Sequence, residues 1–213
     1  GQKKKILETD RLVFFGDSIT EWGRDRSQAS DLGTGFVHYV GEALKKKVPN
    51  LAIYNRGIGG DHLQDLLNRL EDCTSLHPTK VVLLIGINDV WHQVGRPDFG
   101  SREINAVFES NYRILLQKLQ EAGVEDILLL EPFVLPFPED RLTWRVDLDQ
   151  KRQVVKKMAQ EFKFEWVALD HLLNEEAKCV GAQALTGEDG VHPTPLGARI
   201  IANQVLSYLE VMV

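Results

Sequence analysis

Residues 12–20 read LVFFGDSIT, so four apolar residues run directly into Gly-Asp-Ser. A short apolar run that ends at a glycine predicts a buried strand. Ser18 then stands where the chain leaves that strand. A serine in such a position is by itself expected to be a turn or cap residue. A catalytic role for Ser18 requires partners elsewhere in the chain.

Further short apolar runs predict more strands of the same kind. They lie at Leu51–Asn55, Lys80–Ile85, Asp126–Leu130 and Glu165–Leu169. Mostly non-alternating runs are typical of a parallel sheet that is covered on both faces. Amphipathic segments alternate with the strands. The sequence therefore predicts a single three-layer α/β domain over residues 1–213, with a five-stranded parallel sheet in the flavodoxin-like order 2-1-3-4-5.

Helices are predicted between these strands by apolar residues at helical spacing. The periodic segments cover residues 104–119, ended by Gly123, then 154–162, and finally 200–212, the last including Leu209 and Met212. Thr194 before Pro195 predicts an N-cap followed by a first helical residue. Asp61 with Gln64 has the spacing of a capping box, which predicts a helix directly after Gly60.

Composition narrows the classes of partner. The net charge of -6 argues against a nucleic-acid or anionic-membrane partner, and no apolar stretch is long enough to span a bilayer. The polar N-terminal segment predicts no signal peptide and hence a cytoplasmic protein, although a chain that begins with Gly1 leaves a removed signal open. Cys73 and Cys179 lack metal-type spacing and are predicted to be free, buried thiols, with a disulfide between them left open.

Polar segments follow the predicted strand ends or precede the last helix. They are Gly16-Asp17-Ser18, GIGGD at residues 57–61, GIND at 86–89 and DGVH at 189–192. Ligands of doubly wound sheets bind outside the carboxyl ends of the strands. Acyl transfer needs a nucleophile, a base, a group that orients the base and donors for an oxyanion. The four segments contain one candidate for each role.

The predicted catalytic residues are Ser18, Asp189 and His192. Ser18 supplies the hydroxyl, and His192 takes its proton and returns it to the leaving alcohol. Asp189 lies three residues before His192, a spacing that lets one short turn bring its carboxylate to Nδ1. We expect roughly 2.6–3.2 Å between Ser18 and His192.

The predicted oxyanion hole consists of the backbone N–H groups of Ser18 and Gly60 and the side-chain amide of Asn88. Gly60 lacks a Cβ, so a substrate can approach its backbone closely. Asn88 is a neutral donor that can stabilise developing negative charge. The alternative for Asn88 is a turn residue in the left-handed region.

The ordered set GDSIT, GIGGD, GIND and DGVHP resembles the four sequence blocks of the SGNH hydrolases, also called GDSL esterases. The blocks extend from Gly16 to Pro193. The resemblance implies a Ser-His-Asp esterase with an oxyanion hole at Ser18, Gly60 and Asn88. The segments DSITEWGR, LGTGFVHYV and GINDVWH look like bacterial acetylxylan esterases of this superfamily, which implies deacetylation of xylan-derived sugars. The Gly-x-Ser-x-Gly motif of α/β hydrolases is not matched, because Thr20 stands at the second glycine.

Several side chains near these segments are candidate substrate contacts. They are Asp17, Trp22, His62 and Trp91. Asp17 is also expected to bind backbone amides of its own turn. Aromatic rings at the rim can stack on sugars or hold an acyl chain. The same two interpretations, substrate contact or loop packing, apply to Phe133, Phe137 and Trp144.

The sequence thus predicts a serine esterase for short esters, in particular acetyl esters of a carbohydrate, acting without metal or organic cofactor. One alternative is a general short-chain lipase or acyl-esterase, similar to lysophospholipases or platelet-activating-factor acetylhydrolases. A second is a metal-dependent phosphoesterase with Asp17, Asn88 and His192 as ligands. A third is a non-catalytic binding protein of the same fold. Acyl length, the alcohol, and whether the chain forms a homo-oligomer stay open.

Overall fold

The computed structural model describes residues 4–211, with side chains for residues 5–209. The strands are β1 (Lys4–Ile6), β2 (Arg11–Gly16), β3 (Ala52–Gly57), β4 (Lys80–Leu84), β5 (Asp126–Leu130), β6 (Trp166–Val167) and β7 (Leu209–Val211). The helices are α1 (Ser18–Glu21), α2 (Phe36–Lys47), α3 (Leu63–Asn68), α4 (Glu71–Thr74), α5 (Ile87–Trp91), α6 (Arg102–Glu121), α7 (Arg145–Phe162), α8 (Leu169–Val180), α9 (Ala182–Thr186) and α10 (Pro195–Tyr208), with a 3-10 turn at Glu139–Trp144.

The central sheet has five parallel strands in the order β3-β2-β4-β5-β6. Counted from β2, this is the predicted order 2-1-3-4-5. Strand β2 is second from the edge and pairs with β3 on one side and β4 on the other, with Phe14 opposite both Asn55 and Val82. The GDS segment therefore leaves the sheet where the strand order reverses, which is where ligands bind in such folds.

Successive side chains of the strands enter two separate cores. Phe14 and its even-numbered neighbours pack on the side of α2, α8 and α10, whereas Val13 and Phe15 pack on the side of α3, α6 and α7. Because side chains alternate across a strand, a strand buried on both faces must be apolar throughout. Helices on both faces confirm the predicted three-layer architecture.

Two predicted elements end differently in the structure. The last strand covers only Trp166–Val167, because Leu169 already begins α8. The final helix ends at Tyr208, and Leu209 instead begins β7, which pairs in parallel with β1. The helical periodicity continues through Leu209, but pairing with the distant Lys4–Ile6 segment overrides it. Met212 lies outside the described residues.

The predicted helix start after Gly60 is wrong. Helix α3 begins at Leu63, and its capping box consists of His62 and Asp65. Asp61 is still part of a turn, since its N–H donates to the Ile58 carbonyl at 3.3 Å. The cap predicted at Thr194 is confirmed, because its hydroxyl accepts from the Gly197 N–H at 3.2 Å.

Burial tests predictions about single residues. Cys73 is buried as expected, but Cys179 is exposed near the end of α8, and both are free. Trp144 and Phe133 belong to the core and are 2% and 0% exposed, which agrees with the packing alternative for these two rings. Among the residues that the structure describes, no helix has both the length and the apolar character needed to cross a membrane.

Candidate active site

The turn after β2 presents Ser18 at the edge of the sheet. The Asp17 carboxylate caps the short helix α1 by accepting the Ile19 N–H at 3.0 Å, as the sequence predicts for a turn residue. A Cβ at Gly16 would collide with the Leu84 carbonyl and with Thr20, so only glycine lets the turn pass this close to β4. Ser18 itself stays partly exposed, so its hydroxyl can meet a ligand.

Three side chains from opposite ends of the chain are joined in a hydrogen-bonded row. Ser18 Oγ lies 2.8 Å from His192 Nε2, and His192 Nδ1 lies 2.6 Å from Asp189 Oδ2. Because the carboxylate can only accept, Nδ1 carries the proton and Nε2 is left to accept from the Ser18 hydroxyl. The structure thus brings the three predicted catalytic residues into the arrangement of a nucleophile, a base and an orienting acid.

The Asp189 carboxylate is held by its own turn. Its Oδ1 accepts the backbone N–H groups of Val191 at 2.8 Å and His192 at 2.9 Å. Burial by itself would raise the pKa of Asp189, but the hydrogen bonds from the His192 ring and from the two amides outweigh burial and lower it. Asp189 is therefore an anion at neutral pH.

Gly190 locks this turn against the loop after β5. It has φ +78°, and a Cβ there would lie 2.6 Å from the Phe137 carbonyl oxygen and 2.8 Å from that of Leu135. The Leu135 N–H donates to the Gly190 carbonyl at 2.9 Å. Arg141 adds a second anchor, because its Nε donates to the Asp189 carbonyl at 2.8 Å. These contacts fix the position of the turn that carries His192.

The loop from Gly57 to Gly60 lies beside the Ser18 turn. The Ile58 N–H donates to the Gly16 carbonyl at 3.0 Å, and the Gly59 N–H donates to Glu21 Oε1 at 2.9 Å. Within residues 4–211, the N–H groups of Ser18 and Gly60 have no hydrogen-bond acceptor. Gly60 has φ +84°, and no atom lies within 4 Å of a Cβ built there, so open space adjoins its backbone.

Asn88 approaches the same loop from α5, which follows β4. It is 6% exposed, and its Nδ2 donates to the Asp61 carbonyl at 3.0 Å. The amide has a second N–H, which has no acceptor in the described part of the chain. Asn88 lies in the first turn of α5, so the alternative of a left-handed turn residue does not hold.

Of the four predicted substrate contacts, three are at least partly exposed and one is buried. Trp22 and Trp91 flank the base, with ring centroids 5.5 Å and 6.2 Å from that of His192, and Trp22 is 45% exposed. The His62 side chain is partly exposed after the Gly60 loop. Asp17 does not fit its prediction as a contact, because it is 0% exposed beneath the turn that it caps.

Burial also changes the charge of Asp17. Loss of solvent is the main cause that raises the pKa of Asp17 to about 7; the nearby Asp89 and Asp61 carboxylates also raise it, and the Ile19 N–H lowers it. Its Oδ2 is buried without a partner in the described residues. The site floor therefore holds a carboxyl group that is protonated far more readily than a surface aspartate.

Several residues that shape the site were not predicted. Asn55 lies within β3, and its side-chain amide donates to the carbonyls of Thr20 and Leu32 at 2.7 and 2.9 Å, which connects two loops. Arg69 pairs with Asp61 at 2.6 Å and donates to the Gly16 carbonyl at 3.0 Å. These contacts join segments far apart in sequence, so no local pattern marks them.

The residues considered as ligands in the phosphoesterase alternative, Asp17, Asn88 and His192, are not arranged to bind a metal ion. Asp17 is buried, and both ring nitrogens of His192 are engaged by Ser18 and Asp189. Across residues 4–211, no group of three or more His, Cys, Asp or Glu side chains could hold a metal ion.

Comparison with known proteins agrees with this geometry. Residues 14–200 match the model of the GDSL-like lipase/acylhydrolase family. An acetylxylan esterase of Geobacillus stearothermophilus is 35% identical over 210 residues, covering 95% of this chain and 94% of that protein.

Solved structures give the same result. A catalytic mutant of an acetylxylan esterase from Geobacillus stearothermophilus superposes with a TM-score of 0.84 at 32% identity, covering 95% of each chain. A GDSL-like lipase from Parabacteroides merdae superposes with a TM-score of 0.84 at 31% identity, covering 98% of this chain and 97% of its own. The chain therefore belongs to the GDSL-like lipase/acylhydrolase family within the SGNH hydrolases and is a carboxylic ester hydrolase.

Proposed function

We propose that the protein hydrolyses acetyl esters through an acyl-enzyme on Ser18. In the first step, Ser18 Oγ attacks the ester carbonyl carbon while His192 Nε2 takes the hydroxyl proton. The bond from carbon to the alcohol oxygen then breaks, and His192 returns the proton to that oxygen. The observation that carries the proposal is the row of short contacts from Ser18 through His192 to Asp189.

The second step releases the acid. A water molecule gives its proton to His192 and attacks the acyl carbon, and the proton then moves to Ser18 as the acyl group leaves. In both steps the carbonyl oxygen becomes negative. The N–H groups of Ser18 and Gly60 and the free N–H of Asn88 lie on adjoining segments and are the donors that we assign to this oxygen.

For the substrate, we propose an acetylated carbohydrate such as an acetylated xylo-oligosaccharide. The support is the similarity to acetylxylan esterases over nearly the whole chain, together with the exposed Trp22 ring beside His192. Aromatic faces at a rim suit sugar rings. The proposed partner is therefore a small-molecule ester, with neither nucleic acid nor membrane, in keeping with the net charge of -6.

The mechanism is tested by Ser18→Ala, with Ser207→Ala as the matched control. Ser207 is exposed on α10, and its hydroxyl donates only to the nearby Gln204 carbonyl. We expect Ser18→Ala to keep the wild-type thermal midpoint, to lose hydrolysis of an aryl acetate and to lose labelling by a fluorophosphonate. Turnover by Ser18→Ala at the wild-type rate would refute the mechanism.

The substrate class is tested by rates on acetylated xylo-oligosaccharides and on aryl esters of increasing acyl length. The acetylated sugars should be the better substrates, and rates should fall as the acyl chain grows. Equal rates at all lengths, or a preference for long chains, would favour the alternative of a general short-chain lipase or acyl-esterase. A folded protein that hydrolyses none of them would favour a binding function.

We further propose that residues 1–213 act as one domain in the cytoplasm, where the two unpaired cysteines would suit a reducing compartment.

Homo-oligomer formation is also proposed. The apolar side chains of Val107 on α6 and Val146 on α7, each 59% exposed, support an assembled form. Sedimentation analysis at several concentrations measures the oligomeric state.

A further inference from the structure

Two imidazoles connect the segments that carry Gly60 and Asn88. His62 follows the Gly60 loop and caps α3, whereas His92 ends α5. The Nε2 atom of His62 lies 2.7 Å from Nδ1 of His92, and the two ring centroids are 4.7 Å apart. A hydrogen bond therefore joins the two helices next to the proposed oxyanion donors.

The hydrogen bond continues to a carboxylate, which fixes its direction. Asp65 Oδ2 accepts from His62 Nδ1 at 2.9 Å and from the His62 backbone N–H at 2.8 Å. Because Asp65 can only accept, the Nδ1 of His62 carries a proton. In the neutral pair, His62 Nε2 is thus the acceptor and His92 Nδ1 is the donor.

The same two segments are joined by two other contacts. Asn88 Nδ2 donates to the Asp61 carbonyl at 3.0 Å, and the Asp89 carboxylate accepts the Leu63 N–H at 3.1 Å. All these contacts lie between the loop that ends at α3 and the helix α5. The histidine pair is the partly exposed member of the set, and Asp89 is the third titratable group in it, with its pKa raised by burial to about 6.

We propose that His92, acting through His62, is a positioning residue that sets the distance between the Gly60 N–H and the Asn88 amide, and that this function is lost when both rings are protonated. The proposal rests on the proposed function, because it takes Gly60 and Asn88 as the oxyanion donors. His92 itself does not touch the reacting atoms.

Proton counting explains the loss in acid. With no added proton, or with one, a single N–H lies between the two facing nitrogens and the hydrogen bond persists. With two added protons, N–H groups face each other across 2.7 Å and two positive charges repel. The rings then separate, and the two helices lose one of their connections.

The charged groups around the pair affect the pH at which the rings are protonated. Burial, and then the proximity of His62, lower the pKa of His92 from its ordinary value. The Asp65 carboxylate raises it and also holds His62. The other charged groups near the pair are Asp61, Asp89, and, around the cavity that His62 lines, Asp98, Glu103 and Lys151. The lowered pKa of His92 means that a more acidic solution is needed to protonate this ring.

The test compares His92→Ala with His92→Asn. The Asn amide can stand in for Nδ1 as a donor to His62 but does not titrate. His38→Ala is the matched control, because His38 is a partly exposed histidine on α2 with its own carboxylate neighbour, Glu42 at 3.6 Å. For each variant, kcat and KM for an aryl acetate are measured from pH 5 to 8, together with the thermal midpoint.

At pH 8, His92→Ala should lower kcat roughly 2- to 12-fold with little change in KM, which is the effect of one lost hydrogen bond. His92→Asn should restore most of kcat, and His38→Ala should match wild type. Any pH dependence that all the variants share cancels in a ratio. The ratio of wild-type kcat to that of His92→Asn should be constant near neutral pH and fall in acid.

Three results would overturn the proposal: a kcat of His92→Ala equal to wild type, a change in KM alone, or a flat ratio of wild type to His92→Asn across the pH range. The Ser18→Ala variant separates this failure from that of the proposed function. If Ser18→Ala is inactive while His92→Ala is unchanged, only the positioning role is wrong. If Ser18→Ala is active, the mechanism itself is wrong.

Discussion

Replacing Gly190 by alanine should separate His192 from Ser18 while leaving most of the fold in place. Gly190 lies between Asp189 and His192 with φ +78°, and a Cβ there would meet the carbonyl oxygens of Phe137 and Leu135 at 2.6 and 2.8 Å. Real Cβ atoms do not come this close to backbone oxygen, so either the turn or the loop after β5 must move. The turn carries both the base and its orienting acid.

The expected size follows from two terms. A non-glycine residue with positive φ loses about 1–2 kcal/mol. Moving the turn also breaks the 2.9 Å hydrogen bond from Leu135 to Gly190, which contributes about 0.5–1.5 kcal/mol. We therefore expect Gly190→Ala to lower the free energy of unfolding by about 1.5–3.5 kcal/mol. A displacement of His192 by about 1 Å should reduce kcat on the order of 100-fold.

Gly123→Ala is the matched control for the backbone term. Gly123 has φ +96° after the end of α6, and no atom lies within 4 Å of a Cβ built there. It should lose only the conformational term and keep full activity. Urea denaturation gives the stability of both variants, and hydrolysis of an aryl acetate gives kcat. Equal losses of stability in the two variants, with kcat intact in Gly190→Ala, would refute the reasoning from the close contacts.

Two further predictions concern Asn88, a proposed oxyanion donor, and Asp17, the buried carboxyl beneath the Ser18 turn. Asn88→Ala should lower kcat by about 10²–10³-fold, because a lost oxyanion donor removes about 2.7–4 kcal/mol of transition-state stabilisation. If this variant keeps about a third of the wild-type kcat on an aryl acetate, Asn88 is not an oxyanion donor. Asp17 has its pKa raised from 3.8 to about 7 in the folded protein, so the stability that its protonated form gives in acid is lost as pH rises from about 4 to 7. Relative to Asp17→Asn, the wild type should lose on the order of a few kcal/mol over that range in urea denaturation, and parallel curves for the two proteins would show the reasoning to be wrong.

The sheet was predictable because its strands are apolar on both faces. Residues 126–130 have the predicted bounds, and the other long strands differ by one or two residues at their ends. The last segment was harder, because Leu209 continues the spacing of α10 and yet lies in β7. Its partner is the short strand Lys4–Ile6 at the other end of the chain, and such distant pairing leaves no local pattern.

The sequence could predict that Ser18, Asp189 and His192 meet, but not what surrounds them. Their contacts follow from the rule that polar segments at the carboxyl ends of parallel strands share one edge of the sheet. Asp17 was expected to touch substrate, although its depth depends on how closely Gly16 passes β4. Arg141 anchors the Asp189 turn from a loop with no motif of its own.

The separation of 174 positions between Ser18 and His192 has a consequence for biosynthesis. The ribosome makes Ser18 long before His192, so a nascent chain that ends before residue 192 lacks the proposed base. The same separation makes the enzyme suitable for division into two pieces. A break at Gly123, where a side chain meets no neighbour, would leave Ser18 on one fragment and His192 on the other. Ester hydrolysis would then report that the two fragments had reassembled.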